Sequence, residues 1–215
     1  MDLRRPPAGF RPAQILEEWL PQAFVAAGCA ALPDAPRVRI TLSGSQGGDW
    51  LVATETSGVA VRPLAAAEGE AAKDRARCPV PGAGVWLRQS DVDFTATLIK
   101  DPDLPELLPV GWTPLDFLFL DPRDVELVRQ IDGRLAVELT GQRRRRWVLD
   151  LAIGKNGLGA GRPRATVKVA ASTYDDLKAG RMPPLRALLE RKITVEGDRA
   201  LAMQGLLLLG TRLAR

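Results

Sequence analysis

The sequence predicts an α+β protein: a mostly antiparallel sheet covered by short helices, built to a plan that is used twice. Three observations carry this expectation. Apolar and polar residues alternate over short runs bounded by glycine, proline and charge, as half-buried strands require. Strands come in groups with helices behind them, where a parallel α/β sheet would alternate the two. The stretch RVRITLSGSQGGDWLV reappears as RLAVELTGQRRRRWVL, with Arg37 on Arg134, Leu42 on Leu139, Gly44 on Gly141 and Trp50 on Trp147 in one ungapped register. Val38 with Leu135, Ile40 with Val137 and Ser43 with Thr140 are conservative matches in that register.

The elements follow in order. Arg11–Leu32 reads as a helix with Ile15, Leu16, Trp19, Leu20 and Phe24 on its apolar side and a break at Pro21. Strands are expected at Arg37–Leu42, Trp50–Glu55 and Gly58–Leu64, then a loop at Ala65–Pro81. A strand at Val85–Gln89 leads into a helix at Val92–Lys100, and Leu115–Leu120 is a strand before a helix at Arg123–Ile131. The second half repeats the order with strands at Arg134–Leu139, Trp147–Ile153 and Ala165–Ala170, the Asn156-Gly157 pair suiting a tight turn. Helices at Thr173–Ala179 and Pro184–Glu190, a strand at Lys192–Glu196 and an apolar helix at Arg199–Leu209 complete it.

Two further matches support the repeat. VWLRQSDVD aligns with VKVAASTYD, which makes Ser90 and Ser172 the expected helix N-caps, and FLDPRDVELVRQI aligns with TVEGDRALAMQGL. The expected organisation is a helical segment at 1–33, a diverged unit at 34–131 and a second unit at 132–215.

Composition narrows the chemistry. The 215-residue chain has 46% hydrophobic and 26% charged residues, with 30 Lys and Arg against 26 Asp and Glu, a net charge of +4. That balance is ordinary for a globular protein and too mild to demand nucleic acid. Cys29 and Cys78 have no metal-like spacing and suit a reducing compartment. No run approaches the roughly 18 apolar residues of a membrane span, and the first residues make a poor signal peptide, so the expected location is cytoplasmic. The chain has no histidine, which removes the commonest general base and metal ligand.

GLGAGR at Gly157–Arg162 lacks the Gly-Lys-Ser/Thr ending of a phosphate loop, and the carboxylates Asp91, Asp93, Asp101 and Asp103 read as helix caps and a turn. Tyr174 reads as a residue covering the sheet. The expected metal, cofactor and catalytic residues are accordingly none.

ATVKVAASTYDDLKAGRMPPLRALLERKITVEGDRALAMQGLLLL, Ala165 to Leu209, resembles the carboxy-terminal half of the sterol carrier protein two lipid-binding domain. The matching pieces are TVKV, STYDDLKAG, PPLRALLE, KITVEGD and ALAM, and IDGRLAVEL with WVLDLAIGKNGLGAG fits the family's first strands. The resemblance covers roughly Val128 to Leu209 and makes the chain a tandem pair with a diverged first copy.

The resemblance implies a hydrophobic tunnel between helices and sheet that takes a sterol, fatty acyl chain or similar lipid. It places Met182, Leu185, Leu188, Leu189, Ile193, Val195, Leu201, Met203, Leu206 and Leu207 at the ligand. The implied function is non-catalytic lipid binding or transfer. The alternatives are presentation of a hydrophobic substrate, such as a quinone precursor or polyketide-like molecule, to a partner enzyme, carboxylate catalysis on the bound ligand, and a pocket closed by side chains that leaves an interaction module. Arg143, Arg144, Arg145 and Arg146 stand at a hairpin tip where the first copy has SQGGD, so the turn does not need them. They are candidates for contact with lipid headgroups on an anionic membrane, or a solvated loop. Nucleic acid is disfavoured, since no recognition helix or stacking platform accompanies them.

Overall fold

The computed structural model describes residues 6–26, 28, 35–56, 58–64, 83–98, 122–141, 146–154, 164–178 and 180–205. Helix α1 (12–26) starts with Pro12 at its first position, opens into a π turn over Ile15–Trp19 and closes as Leu20–Ala26. The expected break at Pro21 is replaced by that π turn, in which the Leu20 amide donates to the Ile15 carbonyl. Widening the preceding turn relieves the clash a proline ring makes with the carbonyl four residues back. Ile15, Leu16, Leu20 and Phe24 are buried along the face the sequence predicts, and Trp19 packs partly buried beside them.

The strands are β1 (Arg37–Ser43), β2 (Gly48–Glu55), β3 (Gly58–Pro63), β4 (Ala83–Ser90), β5 (Gly133–Thr140), β6 (Arg146–Ile153), β7 (Arg164–Ala170) and β8 (Ile193–Gly197). Between them stand helices α2 (Asp91–Leu98), α3 (Pro122–Gln130), α4 (Ala171–Lys178) and α5 (Pro184–Leu189), and α6 follows at 199–205. The expected loop at Ala65–Pro81, the strand at Leu115–Leu120 and the Asn156-Gly157 turn lie outside the described residues.

Where the sequence suggests one sheet per unit, the strands form one mixed eight-stranded sheet in the order β3-β2-β1-β4-β6-β5-β7-β8. Pairing is antiparallel except for β1 with β4 and β5 with β7. Each half therefore holds an antiparallel hairpin with a parallel strand beside its first member and a helix leaving that strand's end. The halves join where β4 pairs with β6, setting Val85 against Ile153 and Leu87 against Leu151. The join removes two sheet edges and pairs the backbone groups that would otherwise need water.

Strand register relates the two halves differently from the sequence match. Ser43 pairs with Ser90 and Thr140 with Ala170, so Ser90 corresponds to Ala170 and not to Ser172. Ser90 does cap α2, its hydroxyl accepting from the Asp93 amide at 3.0 Å. Ser172 instead lies inside α4, which already begins at Ala171. This register brings buried Phe94 of α2 into correspondence with buried Tyr174 of α4. The hairpins differ as well: Trp50 faces Ile40, whereas Trp147 faces Leu139.

Alternation gives the sheet two unlike faces. One carries Val38, Ile40, Val85, Leu87, Leu135, Val137, Leu151 and Val167, which form a single core with the buried residues of the helices. The other carries Arg39, Trp86, Arg88, Arg134, Asp150 and Arg164, and no described helix packs on it.

Candidate functional site

The interior between sheet and helices in the second half is shaped by two glycine turns. Helix α4 ends at Gly180, whose positive φ of 67° and amide bond to the Leu177 carbonyl (3.1 Å) turn the chain back. The Met182 amide then reaches the Asp176 carbonyl at 3.1 Å and its side chain turns inward, to be almost fully buried. Pro184 opens α5 at a position where a missing amide costs nothing.

At the end of β8, Gly197 adopts φ 85°, and a Cβ there would stand 2.2 Å from the Arg164 carbonyl oxygen. Asp198 donates its amide to that carbonyl at 2.8 Å and caps α6 by accepting from the Leu201 amide at 2.9 Å. The Gly-Asp pair of KITVEGD is thus the clamp that aims α6 across the sheet. Gly205 completes the approach, since a Cβ there would lie 2.3 Å from Leu135 Cδ2.

These turns sort the ligand-site residues expected from the sequence. Met182, Ile193 and Leu201 are buried in the core, and Leu188 and Val195 pack partly buried against it. Leu185 and Leu189, one turn apart on α5, are 64% and 76% exposed, and Met203 is 40% exposed. The reason is helical phase: α5 turns Ala187 inward and α6 turns Leu201, Ala202 and Gly205 inward, which leaves their other apolar residues on the outer side. Leu206 and Leu207 lie outside the described residues. In the first half Phe94 and Leu98 are buried; Leu107, Trp112, Phe117 and Phe119 lie outside the described residues.

Polar groups near the interior are few. Tyr174 is buried against the sheet, as its sequence context predicts. Gln89 projects from β4 on the core side, buried, and its side-chain oxygen has no hydrogen-bond partner. Asp91 is buried at the start of α2, where its carboxylate accepts from the Gln46 amide at 2.7 Å and latches the β1–β2 turn to the helix. A Cβ on Gly44 would collide with that carboxylate. Around α5 two exposed cations share one carboxylate, Arg186 with Glu190 at 2.6 Å and Lys192 with Glu190 at 3.1 Å. The hydrogen bond from Arg186, with that from Lys192, holds the Glu190 carboxyl below its ordinary range.

Of the arginines at the second hairpin tip, Arg146 begins β6 and pairs with Glu138 at 3.0 Å; Arg143, Arg144 and Arg145 lie outside the described residues. Among the described residues, no group of three or more Cys, Asp or Glu could hold a metal ion, and no helix is long and apolar enough to cross a membrane.

The opposite face holds an array that the sequence reading missed. Arg39 donates from Nε to both Asp49 oxygens at 3.0 and 3.1 Å, pairs again through Nη2, and is only 3% exposed. Trp86 lies between the Arg39 guanidinium (4.4 Å) and that of Arg88 (4.8 Å) and donates to the Thr41 hydroxyl at 2.8 Å. Arg88 and Arg134 then share Asp150. The available signal was arginine recurring at alternate positions of strands, a place where an isolated charge reads as solvent-facing.

Residues 116–206 match the model of the SCP-2 sterol transfer family. The match opens ahead of residue 132 and takes in α3. Among curated proteins the chain is similar to hydroxysteroid dehydrogenase-like protein 2 of Xenopus tropicalis, 34% identical over 83 residues that make up 37% of this chain and 20% of that protein. The protein of the same name from Xenopus laevis matches to the same extent. The chain thus spans about a fifth of the length of the curated relatives it matches.

Among solved structures, sterol carrier protein domain 2 of Helicoverpa armigera aligns with TM-score 0.31 and 21% identity over 41% of this chain and 73% of its own. Apo sterol carrier protein 2 from Yarrowia lipolytica aligns with TM-score 0.30 and 14% identity over 39% of this chain and 76% of its own.

Proposed function

We propose that this protein is a non-catalytic lipid carrier that holds a sterol, fatty acyl chain or similar ligand between α4, α5, α6 and the β5–β8 side of the sheet. The observation that carries the reading is the match of residues 116–206 to a sterol transfer family. The side chains offered to a ligand there, among them Met182, Leu188, Ile193 and Leu201, are apolar. Burying each methylene contributes roughly 0.8 kcal/mol, so a long chain needs few polar anchors. Methionine at position 182 suits varied ligands, being unbranched and polarizable.

The exposed pair Leu185 and Leu189 fits delivery. On contact with hydrocarbon each would gain about 1.5–3 kcal/mol, enough to hold α5 briefly against a bilayer. We further propose that residues 34–131 are a diverged copy of the same unit. The shared hairpin, parallel third strand and emerging helix support this, and so does the correspondence of Phe94 with Tyr174.

Native mass spectrometry of the purified full chain, with titration of a fluorescent fatty acid and a fluorescent sterol, tests the reading. Saturable binding of one probe is expected, weakened more than tenfold in Leu188→Glu with the circular dichroism unchanged. A folded protein that carries no lipid and binds neither probe would refute it.

Presentation of a hydrophobic substrate to an enzyme is a second reading. It is favoured by relatives named for a hydroxysteroid dehydrogenase in which the matching segment is about a fifth of the length. Binding without movement of probe between donor and acceptor vesicles would select presentation over transfer.

A further inference from the structure

The two arginine–aspartate arrays on the face opposite the core differ in balance. In the first half one guanidinium meets one carboxylate: buried Arg39 pairs with half-buried Asp49, supported by Thr41, whose hydroxyl donates to Asp49 at 2.8 Å. At the seam between the halves Asp150 meets two arginines. Arg134 donates from Nε to its oxygens at 2.8 and 3.1 Å, and Arg88 reaches it at 3.0 Å. Arg164 stands directly beside Arg134 in the parallel β5–β7 register and makes no ion pair among the described residues.

Like charges facing each other across strands destabilise a sheet. The other charges along these strands are matched, Glu138 by Arg146 and Glu196 by Lys168 at 2.6 Å, so they do not offset the excess. Two guanidiniums on one carboxylate, with Arg164 beside Arg134, leave an excess of two positive charges. The array also contains an unused donor: Arg88 Nε is buried and has no hydrogen-bond partner among the described residues. Partial burial, together with the charges of Arg134 and Arg164, pulls the Arg88 guanidinium below its ordinary pKa. A buried donor left unpaired on a charged group is costly and calls for an acceptor.

We infer that Arg88, Arg134 and Arg164 form a binding site for a phosphate dianion on the face of the sheet opposite the core, with Asp150 as the counter-ion that aligns the first two. The excess of two positive charges matches a phosphate monoester, and planar guanidiniums pair with phosphate oxygens in a bidentate manner. The group is carried either by a phosphorylated small molecule or by a lipid headgroup. The site lies on the face opposite the apolar interior and does not depend on lipid carriage.

The test uses the full chain at fixed ionic strength with chloride as the balancing anion. Calorimetric titration with inorganic phosphate is one arm; sedimentation with vesicles of phosphatidic acid in phosphatidylcholine is the other. Saturable binding in the phosphate arm identifies a soluble ligand class, and binding to vesicles alone identifies a headgroup; either supports the site. Arg164→Gln, at an exposed position, is expected to weaken binding about tenfold while leaving the circular dichroism and melting curve unchanged. Arg62→Gln removes the same charge from the same face at the far side of the sheet and is expected to have no effect. Absence of saturable binding in both arms, or equal loss in Arg62→Gln and Arg164→Gln, overturns the inference, since the latter would mean diffuse attraction to a basic surface.

Discussion

Replacing Leu87 with alanine tests whether the seam between β4 and β6 makes the two halves one cooperative body. Leu87 is fully buried on β4 and faces Leu151 of β6 across the seam. Loss of its terminal carbons removes roughly 2–3 kcal/mol of transfer free energy, and the residual cavity raises the cost to about 3–4 kcal/mol. Domains of ordinary stability unfold with about 5–15 kcal/mol, so the variant should fold with much of its margin gone. With a urea dependence of about 2–3 kcal/mol/M, the midpoint should fall by about 1–2 M in a single transition. Hydrogen exchange read by mass spectrometry then reports β1 and β7 separately. The core runs unbroken through both halves, so amides in the two strands should lose the same opening free energy. Two separate transitions, or β7 amides with unchanged protection, would show that the halves unfold independently and that the seam is only a contact.

Arg39→Met should cost about 3–5 kcal/mol, because Asp49 is left as a partly buried charge without its partner. The double variant Arg39→Met/Asp49→Leu should return to within about 1 kcal/mol of wild type in chemical denaturation, and a double variant as unstable as the single would contradict that account. Gln89→Leu should raise stability by about 1 kcal/mol, since it removes a buried carbonyl oxygen that has no partner. A lower melting temperature in Gln89→Leu would mean that this oxygen is satisfied in solution.

Much of the fold is legible in the residues themselves. The alternation of Arg37–Leu42 and Arg134–Leu139 places the strands, and the spacing of Ile15, Leu16, Leu20 and Phe24 places the buried side of α1. Ser90 announces its helix because a hydroxyl beside free amides has one obvious use. Ser172 misled for the same reason: the identical residue type sits two positions inside α4, and only strand register distinguishes the two. The candidate ligand residues divided in a similar way. Leucine and methionine crowd α5 and α6 on every side, so composition marks the helices as apolar but does not say that Leu185, Leu189 and Met203 point outward.

The sequence by itself determined most of the described strands and helices, the resemblance of the second half to a sterol transfer family and the absence of histidine, because periodicity and residue type act over a few neighbours along the chain. Tertiary structure alone decided that the halves share one sheet through β4 and β6, which way α5 and α6 are rotated, and that Arg88 and Arg134 converge on Asp150 with Arg164 beside Arg134. Those outcomes depend on strand register and helix phase between residues far apart in the chain, where a shift of one residue sends a side chain to the opposite face.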